Sequence, residues 1–157
     1  MVVTPVYMDN HATTRIDSRV LDRMLPFFTE VYGNPGSVNH VFGWDAEETV
    51  KIAREEVAAL INADPGEIVF TSGATESNNL AIRGGAERRR RRGDHVISVK
   101  TEHPAVLDPL DRLKRHGYEI TLVEVDQQHD PVPGFVNPNK IAAAIKEETC
   151  LVSVMLA

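Results

Sequence analysis

The sequence predicts an α/β fold: a helical N-terminal segment followed by a mainly parallel sheet with helices on its faces. Two observations support this prediction. After residue 64, short runs rich in β-branched residues alternate with longer helical patterns, an order typical of parallel sheets. The residues before that point carry helical patterns and polar loops instead. We therefore expect two regions, 1–64 and 65–157.

The N-terminal region contains helical patterns at 17–31 and 44–62. The second pattern places its apolar residues on one helical face, at Val50, Ala53, Val57, Leu60 and Ile61. The segment 32–43 between the two patterns is rich in Gly, Pro and Asn, which predicts an irregular loop. Loops of this kind often carry functional residues.

The second region alternates predicted strands with predicted helices. Strands are expected at 67–71, 95–99, 118–125 and 150–155, and helices at 75–91, 104–116 and 137–147. Gly93 and Gly117 follow basic residues, so they predict where the first two of these helices end. Pro138 suits the first turn of the third helix.

The composition excludes several classes of protein. An apolar content of 42% with 25% charged residues is ordinary for a globular chain, and the net charge of −6 argues against nucleic-acid binding. The basic run Arg88–Arg92 is expected to be a solvated helix end. No apolar run is long enough to span a membrane, and the N-terminus has no secretory signal pattern. The single cysteine, Cys150, excludes an internal disulfide and suits the reducing cytoplasm. We expect Cys150 to be a buried residue on a strand.

The turn Thr71–Ser77 connects a predicted strand to a predicted helix. The first amides of such a helix are unpaired, and the helix dipole attracts an anion. The small residues Gly73 and Ala74 would allow a phosphate close to the backbone, and Thr75 adds a hydroxyl donor. The alternative is that Ser72 or Thr75 simply caps the helix. The turn alone does not decide between the two.

The segment 98–105 places His103 after another predicted strand, with Pro104 opening a helix. The side chain is therefore expected in the crevice outside the strand ends, where open α/β sheets bind ligands. An imidazole at that position suits proton transfer near neutral pH and offers a flat face for stacking. The competing interpretation is an ordinary surface or capping histidine.

The polar segment 7–14 reads as a loop after a short apolar entry, and an Asx-type turn is the simpler interpretation of it. The six histidines have no spacing typical of metal ligands, and there is no Cys-x-x-Cys pair. We therefore expect no metal site.

Five motifs together resemble a known family. They are VYMDNHATT, YGNPGSVNHVFGW, EIVFTSGATESNNLAI, VKTEHPAVLD and LVSVMLA, and they run over nearly all 157 residues. In order and spacing they are similar to the cysteine desulfurases of nitrogen fixation and iron–sulfur assembly. Those enzymes belong to the class V branch of fold-type I pyridoxal-phosphate enzymes. The resemblance implies that 65–157 is the first part of an incomplete cofactor-binding domain, and that 1–64 forms part of the small domain and pocket wall.

The resemblance also implies roles for individual residues. In the family, the Gly-Ala-Thr turn binds the phosphate of pyridoxal 5'-phosphate, which points to Gly73, Ala74 and Thr75. The family's Thr-Glu-His histidine stacks on the cofactor ring and takes part in proton transfers, which points to His103 as a catalytic residue. Two loops wall the substrate pocket near the dimer interface, which points to Asn10, His11, Ala12, Asn34 and Ser37.

The family reaction converts L-cysteine to L-alanine and leaves a persulfide on the enzyme, which passes to an iron–sulfur scaffold or another sulfur acceptor. The family's Schiff-base lysine, ring-nitrogen aspartate, carboxylate-binding arginine and catalytic cysteine all fall beyond Ala157. Lys100 and Cys150 do not match the lysine and cysteine positions. We therefore expect this chain to be inactive without a complementing C-terminal part. The alternatives are an inactive truncated homologue that binds a partner, or a selenocysteine lyase or related class V enzyme.

Overall fold

A computed structural model describes residues 5–127 and 132–156. The first residues of the N-terminal region and the last residue of the motif LVSVMLA lie outside the described residues. The chain divides into two compact units, Met1–Val69 and Phe70–Ala157. Each unit is described by itself below.

The first unit is helical. It contains α1 (Ser18–Met24), α2 (Pro26–Thr29), α3 (Val41–Ile61) and a single 3₁₀ turn at Pro65–Glu67. The prediction of one helix over 17–31 was wrong, because Pro26 interrupts it. Proline has no amide hydrogen to continue the hydrogen-bond ladder of α1, but it suits the first position of a new helix.

The long helix α3 begins three residues earlier than predicted. The His40 Nδ1 atom accepts a hydrogen bond from the Gly43 amide at 3.2 Å and so caps the helix. The helix ends at Ile61, and its C-cap residue Asn62 has the left-handed φ of 55°. Its predicted apolar face is buried only in part by the residues that the structure describes: Val50 and Ala53 are half-buried, whereas Leu60 at the end of the face is 86% exposed.

The second unit contains a three-stranded parallel sheet. The strands are β1 (His95–Val99), β2 (Glu119–Val123) and β3 (Thr149–Val152), in the order β2-β1-β3. The central strand β1 is buried along its whole length. The predicted α/β class with a parallel sheet is therefore confirmed.

Three helices flank this sheet: α4 (Ala74–Arg89), α5 (Pro104–Arg115) and α6 (Pro138–Ala144). The core between the helices and the sheet consists of Ile82, Ala86, Val96, Val106, Leu110, Leu113 and Tyr118. Cys150 lies on β3, half-buried against this core, and its burial raises the pKa of the thiol.

The predicted strand at 67–71 was wrong. Residues 65–67 form the 3₁₀ turn, and Ile68 after it is extended. The Ile68 carbonyl accepts a hydrogen bond from the Arg54 guanidinium. A strand needs a neighbouring strand, and within the described part of the chain the ladders join β1 only to β2 and β3. The segment is therefore extended without belonging to the sheet.

Two features are absent from the described residues. No helix there is both long and apolar enough to cross a lipid bilayer. No group of three or more His, Cys, Asp or Glu side chains there is arranged to hold a metal ion.

A buried histidine on β1 is hydrogen-bonded to a residue on each of the two neighbouring strands. The His95 side chain is 1% exposed, with Nδ1 2.8 Å from Thr149 Oγ1 and Nε2 2.8 Å from Thr121 Oγ1. The Lys146 amide donates to Thr149 Oγ1 at 2.9 Å, so this hydroxyl also links the loop before β3 to the histidine. Burial first, and the charge of Lys146 second, lower the pKa of His95. The folded state therefore holds the neutral imidazole.

We expect this histidine to make the fold acid-sensitive. Because the pKa of His95 is lower in the folded state than the ordinary value of about 6.5, the unfolded chain binds more protons just below that pH. Its contribution to stability is complete above about pH 6.5 and is lost as the pH falls toward the folded pKa. Urea unfolding from pH 5 to 8 measures this slope. His95→Asn should flatten it, whereas the exposed His11→Gln control should not; equal slopes in all three proteins would contradict the assignment.

Candidate active site

The carboxyl edge of the sheet collects the N-termini of two helices. Helix α5 connects β1 to the parallel strand β2, so it runs antiparallel to the strands and begins at their carboxyl ends. Helix α4 ends shortly before β1 and packs against α5 and β3, so its N-terminus lies at the same edge. Ligands in open α/β sheets bind at this edge. The residues at the start of α4 and α5 are therefore candidates for a site.

The turn before α4 is held by a glutamate. The Glu76 carboxylate accepts hydrogen bonds from the Ser72 amide at 2.7 Å and the Ser72 hydroxyl at 2.6 Å. These bonds, the hydroxyl first, lower the pKa of Glu76. The Thr71 and Ser77 hydroxyls lie 2.6 Å apart and brace the other side of the turn. The backbone of the turn is therefore fixed by its own side chains.

This arrangement leaves the helix N-terminus open. Gly73 is the N-cap residue and provides no side-chain cap, so neither Ser72 nor Thr75 acts as the cap. Within the described residues, no hydrogen bond engages the amides of Ala74 and Thr75 or the Thr75 hydroxyl. A Cβ atom built on Gly73 would meet nothing within 4 Å. The exposed turn thus has unpaired donors, a favourable helix dipole and empty space in front of it.

His103 is the N-cap residue of α5. Its Nδ1 atom accepts a hydrogen bond from the Ala105 amide at 3.0 Å, so the neutral ring carries its proton on Nε2. The side chain is exposed. The capping bond fixes the ring, while one face and Nε2 remain available to a ligand. Capping and ligand binding are compatible here, although the sequence presented them as alternatives.

Sequence reasoning missed the role of Glu102. This residue is 7% exposed, and its Oε1 atom accepts a hydrogen bond from the Met155 amide at 2.6 Å. It thereby joins the end of β1 to the segment after β3, next to His103. The only signal in the sequence is an acidic residue three positions after the end of a buried strand, and such a residue is more often solvated. Its long-range partner is visible only in the fold.

Three candidate pocket residues of the first unit lie in an exposed loop. The Ala12 amide donates to the Asp9 carbonyl at 3.2 Å, and the Tyr7 hydroxyl donates to the same carbonyl at 2.9 Å. This turn carries Asn10, His11 and Ala12, all of them exposed.

The other two candidates lie in a turn that packs on the start of α3. The Gly36 amide donates to Asn34 Oδ1 at 2.8 Å, and the Ser37 amide donates to the Asn34 carbonyl at 2.9 Å. A Cβ atom on Gly43 would clash with the Ser37 backbone, so glycine allows this close approach. No hydrogen bond joins this turn to the 9–13 loop among the residues that the structure describes. Both loops belong to the first unit, and the residues proposed to bind the cofactor belong to the second.

Comparisons with known proteins agree with the motifs. The chain is 54% identical over 156 residues to the cysteine desulfurase IscS of Neisseria meningitidis serogroup A, which covers 99% of this chain and 37% of that protein. It is 51% identical over 153 residues to the IscS of Anaeromyxobacter sp. strain Fw109-5, covering 98% of this chain and 37% of that one. The chain therefore spans somewhat more than a third of the length of these relatives.

Solved structures give the same result. A NifS-like protein superimposes with a TM-score of 0.83 and 40% identity, over 94% of this chain and 39% of its own. DndA from Streptomyces lividans has a TM-score of 0.74 and 40% identity, over 95% of this chain and 40% of its own. The family model for class-V aminotransferases matches residues 6–157. The chain therefore belongs to the class-V aminotransferase family.

Proposed function

We propose that this chain is the N-terminal part of a pyridoxal-phosphate-dependent cysteine desulfurase. With the remaining part of the enzyme it would convert L-cysteine to L-alanine and pass the sulfur to an acceptor protein, such as an iron–sulfur scaffold. The observation that carries the proposal is the open N-terminus of α4 at the same sheet edge as the fixed ring of His103. The first unit would contribute part of the small domain and the pocket wall, near a homodimer interface.

The residues at the start of α4 fit a cofactor phosphate. The unpaired amides of Ala74 and Thr75 and the Thr75 hydroxyl are donors, and the space in front of Gly73 admits a group of this size. The Glu76 carboxylate accepts two hydrogen bonds from Ser72. These donors partly neutralise its charge, which reduces its repulsion of a phosphate. These contacts would anchor the phosphate and set the position of the cofactor ring.

His103 would act on the cofactor ring. The capping bond to the Ala105 amide holds the imidazole in one plane, so the ring is preorganised for stacking. Nε2 is the atom left to hold or move a proton. The buried Glu102 carboxylate would position this segment through its bond to the Met155 amide. When bound, pyridoxal phosphate supplies an electron sink for carbanion chemistry.

An apolar groove in the second unit supports the proposal that a further part of the enzyme packs on this chain. The groove lies beside the carboxyl ends of β1 and β3 and has a volume of about 640 Å³. Its walls come mainly from α6 and the segments next to it, and they include Phe135, Ile145 and Val154, which are all substantially exposed. Apolar surface of this kind is normally covered. A complementing C-terminal part of the enzyme would cover it, as would the partner of an inactive homologue, which is the second candidate function.

We expect Thr75→Val to weaken binding of the cofactor phosphate. The change removes one hydroxyl donor from the site while keeping the shape of the side chain, and a hydrogen bond to a charged group contributes about 1.5–3 kcal/mol, which corresponds to roughly a tenfold or greater loss of affinity. Titration of the 157-residue chain with pyridoxal phosphate and with pyridoxal, followed by NMR, measures this loss. The matched control is Thr49→Val in α3, where the hydroxyl bonds only to the Asp45 carbonyl. Equal affinity for pyridoxal and its phosphate would contradict the proposed site.

A further inference from the structure

A second concave site lies at the other end of α4. It is a cavity of about 140 Å³ between the C-terminal halves of α4 and α5 and the start of β2. The side chains that give it its chemistry are Arg83, Glu87, Arg90, Arg112, His116 and Tyr118. The volume is well below the roughly 300–1,000 Å³ of pockets for drug-sized ligands. It therefore suits a small ion rather than a nucleotide.

The charges around the cavity are unbalanced. Three arginines face one acid, Glu87, and none of the four takes part in an ion pair among the residues that the structure describes. The neighbouring Arg115 differs, because it is paired with Asp111 at 2.9 Å. The basic run Arg88–Arg92 adds positive potential beside the cavity. The cavity is thus a local basic site in a chain whose net charge is −6.

One wall of the cavity is preorganised. The Arg90 guanidinium donates to the His116 carbonyl at 3.1 Å and lies 4.7 Å from the centre of the Tyr118 ring. The His116 amide and Nδ1 both lie within hydrogen-bonding distance of the Arg112 carbonyl, at 3.2 and 2.8 Å. A guanidinium held in this way loses little freedom when it binds an oxyanion.

Tyr118 supports this wall from the core. Its side chain is 3% exposed and packs in the apolar cluster of the second unit, with the Arg90 guanidinium over its ring. Its hydroxyl atom is buried and is assigned no contact with the cavity. The ring therefore holds Arg90 in place and the arginines supply the donors.

We propose that this cavity, between the two helix ends and away from the proposed cofactor site, binds a tetrahedral oxyanion such as phosphate or sulfate. Arg83 and Arg112 supply the free guanidinium donors and Arg90 the fixed one. Glu87 and the negative C-terminal ends of the α4 and α5 dipoles oppose binding, so the three arginines must supply the attraction. The proposal does not depend on the cofactor site, because it uses the other end of α4.

The test is a titration of the 157-residue chain with inorganic phosphate at constant ionic strength, followed by the backbone amide NMR signal of Gly117, which lies beside Arg90, and repeated with sulfate. This signal reports the cavity separately from the start of α4. The double variant R83Q/R112Q should bind at least tenfold more weakly, since it removes two charge-assisted donors. Glu87→Gln should bind more tightly, because it removes the one opposing charge. The control Arg115→Gln changes a paired arginine outside the cavity and should bind as the wild type does.

Further variants separate the two anion sites. Thr75→Val should leave phosphate binding in the cavity unchanged, and R83Q/R112Q should leave the preference for pyridoxal phosphate over pyridoxal unchanged. The proposal is overturned if R83Q/R112Q binds phosphate as the wild type does. It is also overturned if only a single-stranded oligonucleotide, and neither phosphate nor sulfate, shows the arginine dependence.

Discussion

Replacing Gly93 with valine is expected to destabilise the second unit by about 3 kcal/mol or more, the range of severe overpacking. Gly93 lies just before β1, opposite the residue that precedes β3. A Cβ atom there would lie 2.6 Å from the Glu148 Cα and closer still to its carbonyl. The same carbonyl accepts a hydrogen bond from the His95 amide at 3.0 Å, so the two strands cannot separate without loss of sheet pairing. Urea unfolding followed by far-ultraviolet circular dichroism measures the cost.

A glycine in the same unit provides the matched control. Gly84 lies on an exposed part of α4, and a Cβ atom there would meet nothing within 4 Å. Gly84→Ala should therefore stabilise the protein by about 0.5–1 kcal/mol, because alanine favours a helix over the unfolded chain. The fluorescence of Trp44, which belongs to the first unit, reports whether that unit stays folded in both variants. Similar effects of Gly93→Val and Gly84→Ala would show that the close backbone approach is not what Gly93 provides.

Sequence reasoning predicted the elements whose signals are local. The run HVISV gives β1 with the predicted bounds, and Pro104 marks the first residue of α5. The alternation of strands and helices was enough to predict a parallel sheet, because a strand–helix–strand unit of this length has few other solutions. The turn before α4 was expected at the same edge as His103 because 67–71 was predicted to be a strand. That strand is not in the described sheet, and the direction of α4 places the turn at this edge instead.

Features that depend on distant partners could not be predicted. Segment 67–71 has a strand-like composition, but composition does not reveal whether a neighbouring strand is present. The apolar pattern of α3 was correctly interpreted as one face of a helix, yet Leu60 on that face is exposed in the first unit. The burial of Glu102 depends on the Met155 amide, 53 positions away.

The details of the candidate site depend on side-chain choices that sequence patterns do not determine. The turn at 71–77 has several hydroxyl groups that could cap α4. The structure uses Glu76 to hold Ser72 instead, and this choice is what leaves the helix amides open. The same is true of His103, where the Nδ1 bond to the Ala105 amide determines which nitrogen faces a ligand.

We expect the chain alone to release no alanine from cysteine, and to gain that activity when the C-terminal part of a close relative is added. The part that follows the last aligned residue of the Neisseria IscS is suitable, because that protein is 54% identical to this chain and extends well beyond it. In the mixture, His103→Ala should lower the turnover number by about 10²–10⁴-fold, the usual contribution of a proton-transfer group. A coupled assay for alanine measures both results. The absorbance between about 320 and 430 nm reports whether the cofactor is bound.

The half-buried Cys150 provides the control for this experiment. The raised pKa of its thiol keeps it protonated at neutral pH, and the thiol is a poor nucleophile in that form. Cys150→Ala should therefore keep the activity of the mixture within about twofold, since the attack on sulfur is assigned to a cysteine of the added part. His103→Ala must keep its cofactor band for the loss of turnover to be read as loss of proton transfer. Alanine release by the chain alone, or activity that depends on Cys150, would contradict the division of roles proposed here.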